Sequence, residues 1–100
     1  MANEAQPHRR HRAGLELFTF IDPPTEPVPE PFGYWRTGIS HLSLTIEDLD
    51  ATLARVVVAG GAPRTAIHEI RPGRRMCYCQ DPWGTQLELV SLPYPALVEP

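Results

Sequence analysis

The sequence predicts an α+β fold in which one helix and four strands follow one another in the order βαβββ. A segment of alternating apolar residues runs into a segment with an apolar stripe at helical spacing, and three more alternating segments follow, separated by turn sequences. The strands are expected at 38–46, 63–70, 74–80 and 85–92, and the helix between the first two. With 100 residues, the chain is long enough for one modest domain.

The first strand has two unlike faces. Leu42, Leu44 and Ile46 point to one side, and His41 lies on the other, mostly polar side. We therefore expect the apolar side to pack against the helix and the His41 side to remain uncovered.

The helix is bounded by recognisable start and stop signals. Asp48 is a suitable N-cap, Leu49 and Leu53 begin the apolar stripe, and the pair Gly60-Gly61 permits the left-handed conformation that ends a helix. These signals predict a helix whose apolar stripe covers the leucines of the first strand.

The last strand, "TQLELVSL", places a carboxylate between two leucines. Glu88 shares its side with Gln86, whereas Leu87 and Leu89 point to the other side. If the leucines pack against the helix, Glu88 faces the same uncovered side as His41. The turns "RPG" at 71–73 and "DPWG" at 81–84 connect the last three strands.

A second "LEL" lies near the start of the chain, where Glu16 opposes Leu15 and Leu17 in a plausible strand. The proline-rich stretch that follows cannot form a sheet ladder and is expected to be an extended connector. We therefore divide the chain into a disordered N-terminus (1–13), the extra strand (14–20), a proline-rich linker (21–33), the βαβββ module (34–92) and a tail (93–100).

Composition narrows the classes of partner. The net charge is −3, every basic residue other than histidine is an arginine, and only the first twelve residues hold a basic cluster, so we expect no nucleic-acid partner. No apolar run reaches the roughly 18 residues of a membrane span, and a cytoplasmic location is expected. The arginine-only content, with much Pro, Ala and Gly, suggests a bacterial genome rich in GC.

The two cysteines, Cys77 and Cys79, are two residues apart on a predicted strand. Their Cα atoms would be about 6.6–7 Å apart, which is at or beyond the limit for a disulfide. Because no second cysteine pair exists to complete a metal site, we interpret them as two small buried thiols.

His41, Glu88 and Glu16 are the candidate metal ligands. Imidazole and carboxylate groups suit a divalent cation such as zinc, manganese, iron, nickel or cobalt. The alternative is that each glutamate is a solvated strand residue and that the histidine is hydrogen-bonded without binding a ligand.

The stretch "GISHLSLTIEDLDATLARVVVAGG", followed later by "DPWGTQLELV", resembles the vicinal oxygen chelate superfamily, which includes glyoxalase I, bleomycin-resistance proteins and extradiol dioxygenases. The resemblance implies paired βαβββ modules around a metal or ligand cavity. It also implies that His41 and Glu88 are metal ligands, and that Glu16 is the last-strand ligand of a preceding module.

The sequence departs from this family in two ways. Thr85 replaces the asparagine that usually follows the Asp-Pro-x-Gly turn, and only thirteen residues precede Gly14, where a first module would need some fifty. No residue is a credible fourth ligand, since Gln6, His8 and His11 are wrongly placed. We therefore expect the module to pair with a second copy of the chain, so that a two-fold dimer supplies two histidines and two glutamates.

The resemblance implies a divalent-metal-dependent isomerase or lyase that acts on a small substrate with vicinal oxygens, with Glu88 or Glu16 as general base; a dioxygenase fits less well. One alternative is a metal-free small-molecule-binding or drug-sequestering protein, and another is an inactive dimerising remnant. The expected substrate pocket comprises Phe18, Phe20, Trp35, Met76, Tyr78 and Gln86.

Overall fold

The computed structural model describes residues 14–28, 32–92 and 96–97. Its elements are β1 (Leu42–Thr45), α1 (Leu49–Val58), β2 (Ala62–Pro63), β3 (His68–Arg71), β4 (Arg74–Gln80) and β5 (Gln86–Val90). The α+β class and the βαβββ order are confirmed, with one predicted strand divided into the two short strands β2 and β3.

The sheet has the strand order β1-β5-β4-β2, and β3 also pairs with β4. β1 runs parallel to β5, and the other pairings are antiparallel. The register sets Glu88 of β5 between Ser43 of β1 and Tyr78 of β4. The first and last strands of the module are therefore neighbours, and β5 lies inside the sheet.

The apolar core lies between the sheet and α1. Its buried centre comprises Leu49, Cys77, Cys79 and Leu89, with Ile46, Leu53, Val56, Ile67 and Leu87 packed around them. Both cysteines are buried free thiols, as the sequence predicted. Burial is the main cause that raises the pKa of Cys77, from 9.0 to about 11, and the nearby Cys79 adds to it.

Both ends of α1 follow the predicted signals. The Asp48 side chain accepts a hydrogen bond of 3.0 Å from the amide of Ala51. At the other end Gly60 has a φ of +101°, which costs glycine little because it has no Cβ. The amide of Gly61 then donates to the carbonyl of Val56 at 2.8 Å, so the chain turns directly toward β2.

The helix covers the predicted apolar face of the first strand only in part, since Ile46 packs against the core beneath α1 and Leu44 does not. α1 packs over β2 and β4, which lie across the sheet from β1. Leu44 of β1 is consequently 38% exposed although it lies on the helix side. Within the described ranges, β1 pairs with a strand on one side only, that of β5, so its other edge and part of its apolar face are open.

The side of the sheet that faces away from α1 is less open than predicted. Val90 and Met76 pack beneath Leu97, and Tyr78 packs against this cluster. Leu97 belongs to the segment expected to be a tail, and the apolar surface that it covers explains its burial. Leu97 therefore covers the part of this side that holds Met76 and Val90, and Glu88 lies beside the covered part.

The predicted strand at 63–70 is interrupted between β2 and β3. At the interruption the hydroxyl of Thr65 accepts a hydrogen bond of 2.9 Å from the amide of Tyr78. The amides of Arg64 and Thr65 both donate to the carbonyl of Tyr78. A threonine side chain thus replaces a backbone acceptor and divides the strand.

The strand predicted at 14–20 is absent, and each of its residues is exposed. A strand is stable only with a hydrogen-bonded neighbour, and this segment pairs with none of the described strands. Further along, the amide of Val28 donates to the carbonyl of Trp83 at 2.8 Å. The expectations for 1–13, and for the parts of the linker and tail at 29–31, 93–95 and 98–100, lie outside the described residues.

None of the helical residues that the structure describes forms a segment both long enough and apolar enough to span a bilayer.

Candidate functional site

The structure brings His41 and Glu88 together. His41 immediately precedes β1, and Glu88 is the middle residue of β5, the parallel neighbour of β1. The distance from His41 Nε2 to Glu88 Oε1 is 3.5 Å. Strand alternation predicted that both side chains share one side of the sheet, and the parallel pairing accounts for their proximity.

Glu88 is buried, since only 7% of the residue is exposed. A buried carboxylate that lacks a close partner raises the free energy of the folded state. The separation of 3.5 Å from His41 exceeds the 2.7–3.2 Å of a good hydrogen bond between nitrogen and oxygen. The pair is therefore close but not tightly hydrogen-bonded.

The same separation suits two ligands of one metal ion. Zinc lies about 2.0–2.1 Å from nitrogen and oxygen ligands, so two ligand atoms at a tetrahedral angle are about 3.4 Å apart. The observed distance between His41 Nε2 and Glu88 Oε1 is 3.5 Å. These two residues fit one half of a divalent-metal site.

Among the residues that the structure describes, no third ligand completes that site. Over the ranges 14–28, 32–92 and 96–97, no three histidine, cysteine, aspartate or glutamate side chains are grouped suitably for a metal ion. Glu16, predicted as a third ligand, is exposed and belongs to no such group. The segment that carries it has no sheet neighbour that would hold it near His41.

The other nitrogen of His41 contacts a residue that the sequence did not single out. Ser40 Oγ lies 2.7 Å from His41 Nδ1, a distance typical of a hydrogen bond. Ser40 is partly buried. The two ring nitrogens of His41 are thus engaged differently, with a hydroxyl on one side and a carboxylate on the other.

Two aromatic rings lie beside His41. The ring of Tyr78 lies 5.3 Å from the imidazole, and that of Tyr34 lies 6.4 Å from it, both edge to face. Tyr34 also contacts Tyr78 and Phe32 at 5.7 and 4.4 Å. Sequence reasoning assigned no role to Tyr34 or Phe32, although the aromatic density of "PFGYW" was an available signal. Arg64 lies over the ring of Phe32 at 5.4 Å.

Gln86, a predicted pocket residue, is buried on the same side as Glu88. Its Nε2 donates to Gln80 Oε1 at 3.2 Å and to the Gly84 carbonyl at 3.0 Å. Its Oε1 is buried and has no hydrogen-bond partner among the residues that the structure describes. This oxygen adds an unsatisfied acceptor to the Glu88 side of β5.

The other predicted pocket residues do not gather at the pair. Met76 is buried beneath Leu97, and Phe20 and Trp35 are exposed. Phe18 lines a different cavity of about 560 Å³, between the 17–28 segment and the turn that carries Trp83. Of the predicted pocket, only Tyr78 contacts the ring of His41 in the structure.

A βαβββ module whose first and last strands lie side by side and parallel in one mixed sheet defines a recognisable fold class. Residues 1–89 match the family model described as Glyoxalase/Bleomycin resistance protein/Dioxygenase superfamily, and the chain belongs to this superfamily. No curated protein and no solved structure matches the chain significantly.

Proposed function

We propose that this chain is a glyoxalase-like protein that binds a divalent metal ion through His41 and Glu88. We further propose that it acts as an isomerase or lyase on a small substrate with two adjacent oxygens. The observation that carries the proposal is the separation of 3.5 Å between His41 Nε2 and Glu88 Oε1, which suits two ligands of one cation.

A second copy of the chain would complete the site. The described residues of one chain would supply two ligands, and a two-fold axis beside them would supply two more. Two features support pairing at this place: the open edge of β1 and the exposed apolar side chains Trp35, Ile39 and Leu44 near or on that strand. Open strand edges and exposed apolar surface are typical of surfaces that bind another chain.

A metal ion held there would act as a Lewis acid that polarises substrate oxygens. Glu88 would hold the cation and, through its carboxylate, accept or return a substrate proton. The burial of Glu88 strengthens its electrostatic interactions, because water is largely excluded. The rings of Tyr34 and Tyr78 would limit the access of water to His41 and contact the apolar part of a substrate.

Metal analysis of the purified full-length chain tests the proposal. Bound zinc, nickel, cobalt, manganese or iron should be lost in His41→Ala and in Glu88→Gln. The matched controls are His68→Ala and Glu47→Gln, since both positions are exposed and neither belongs to the pair. If the wild-type chain binds no divalent ion, or if all four variants bind it equally, the proposed site is wrong.

Glu16 is tested in the same series. It lies outside the pair in a single chain, so a loss of metal in Glu16→Gln would mean that the second copy contributes it. Unchanged metal content would leave His41 and Glu88 as the ligands.

Metal-free binding of a small aromatic molecule is the second candidate function. The edge-to-face contacts of Phe32, Tyr34 and Tyr78 next to His41 favour it, because clustered rings are common in ligand pockets. Titration with aromatic compounds in excess EDTA, followed by NMR of the tyrosine rings, tests this function. Chemical-shift changes confined to these rings would support it, and a chain that binds neither metal nor compound would fit an inactive dimerising remnant.

A further inference from the structure

We propose that Ser40 is a positioning residue for His41, and that its hydroxyl exchanges the donor role for the acceptor role when His41 binds a cation. This inference rests on the proposed metal function. The contact that carries it is the separation of 2.7 Å between Ser40 Oγ and His41 Nδ1.

Without a cation, the pair favours one tautomer of a neutral His41. With the proton on Nε2, an N–H lies beside the Glu88 carboxylate, whose Oε1 is 3.5 Å from Nε2, and this arrangement is attractive. With the proton on Nδ1 instead, the lone pair of Nε2 would face the same carboxylate, which is repulsive. The first tautomer leaves Nδ1 as an acceptor, and the Ser40 hydroxyl donates to it.

With a cation on Nε2, the other tautomer is required. The lone pair of Nε2 now binds the metal ion, so the imidazole proton resides on Nδ1. A metal-bound histidine almost always donates its second ring N–H to a fixed acceptor. Ser40 Oγ stands in the position of that acceptor, and the hydroxyl accepts after a rotation that moves only its hydrogen.

A hydroxyl is the group that satisfies both states, because it can donate and accept. A carboxylate or a backbone carbonyl at this position would only accept, and would direct the Nε2 lone pair at Glu88 in the metal-free protein. A backbone amide would only donate, and would oppose the metal-bound tautomer. Ser40 therefore keeps the imidazole plane oriented while the proton changes nitrogen.

The matched variants Ser40→Thr and Ser40→Val separate the hydroxyl from the bulk of the side chain, because threonine and valine have nearly the same shape. The zinc affinity of each full-length variant is measured by competition with a chromophoric chelator. Loss of an outer-shell partner typically weakens metal binding about 10–100-fold, so we expect a loss of that size for valine and near-wild-type affinity for threonine. Ser40→Ala provides the same test without the branched carbon if valine disturbs the fold.

A second measurement reads the tautomer directly. Long-range ¹H–¹⁵N NMR of His41 in alkaline buffer distinguishes a proton on Nε2 from one on Nδ1. We expect the proton on Nε2 without zinc and on Nδ1 with zinc.

The outcomes separate the two proposals. Suppose first that the wild type binds zinc through His41. The role of Ser40 alone is then overturned if the threonine and valine variants bind zinc with equal affinity, or if His41 has the same tautomer with and without zinc. If the wild type binds no zinc, the proposed function fails, and the role of Ser40 fails with it.

Discussion

Replacement of Glu88 by glutamine should affect stability in opposite ways with and without metal. Glutamine has nearly the shape of glutamate, so the packing of this residue, which is 7% exposed, should be retained. The substitution removes the negative charge beside His41 Nε2. In EDTA we expect a melting temperature equal to or above that of the wild type, because a buried carboxylate without a close hydrogen-bond partner is costly.

In zinc the variant should lose most of the stabilisation that the wild type gains. A ligand that binds only the folded state at about 100 times its Kd stabilises that state by about 2.7 kcal/mol. We take a weakening of about 100-fold for the loss of a direct ligand, which is the upper end of the cost of losing an outer-shell partner. The variant then retains about 0.4 kcal/mol at the same zinc concentration. The difference of about 2.3 kcal/mol corresponds to about 9–18 °C in melting temperature for a chain of this size.

Thermal unfolding followed by circular dichroism, at one protein concentration, in EDTA and in zinc, measures both effects. Glu47→Gln is the control, since it removes an exposed carboxylate from the loop before α1. An equal zinc-induced shift in the wild type and in Glu88→Gln would refute the assignment of Glu88 as a ligand. A variant that is as strongly destabilised in EDTA as in zinc would show that the carboxylate has a purely structural role.

Three further predictions concern the fold. Leu89→Ala should lower the free energy of unfolding by about 3–5 kcal/mol in urea titrations, because Leu89 is 1% exposed. Its cross-strand neighbour Leu44 is 38% exposed, so Leu44→Ala should lower the free energy of unfolding of a monomer by less than about 1.5 kcal/mol. A loss as large for Leu44→Ala would indicate that a second chain covers it. Gly61→Ala should lower the melting temperature, since its Cβ would overlap the backbone of β4, and an unchanged value would contradict this contact. The pKa of Cys77 is raised from 9.0 to about 11, so between these pH values the folded state retains a proton that the unfolded state loses. The free energy of unfolding should therefore be unaffected by this group below pH 9.0 and should fall by about 1.4 kcal/mol per pH unit toward pH 11. The fall should be smaller in Cys77→Ala.

The order of the elements could be predicted because its signals are local. The Asp48 cap, the apolar stripe and the two glycines act within a few residues of one another, as does the alternation of β4 and β5. The same alternation placed His41 and Glu88 on one side of the sheet. The parallel pairing of β1 with β5 then brought them within 3.5 Å.

Other features depend on contacts between distant residues or on a single side chain. The interruption after β2 arises because the Thr65 hydroxyl replaces a backbone acceptor for Tyr78, which periodicity does not reveal. The exposure of Leu44 depends on where α1 crosses the sheet. The contact of Ser40 with His41 Nδ1 depends on the local backbone conformation, and any polar neighbour would have looked the same in the sequence.

The segment 14–20 shows a different limit of sequence reasoning. Its alternation of leucines with Glu16 satisfies the pattern of a strand, but a strand needs a partner. Among the described residues the segment pairs with no strand, and each of its residues is exposed. The pattern therefore indicates what the segment can form rather than what it forms alone.

Native mass spectrometry of the zinc-loaded chain tests the shared metal site, because it measures the number of chains and the number of metal ions in one experiment. We expect two chains with one zinc ion, which is lost in His41→Ala and in Glu88→Gln and retained in His68→Ala. One zinc ion on a single chain, or a dimer whose zinc content is the same in all three variants, would contradict a metal site shared between the His41–Glu88 pairs of two copies.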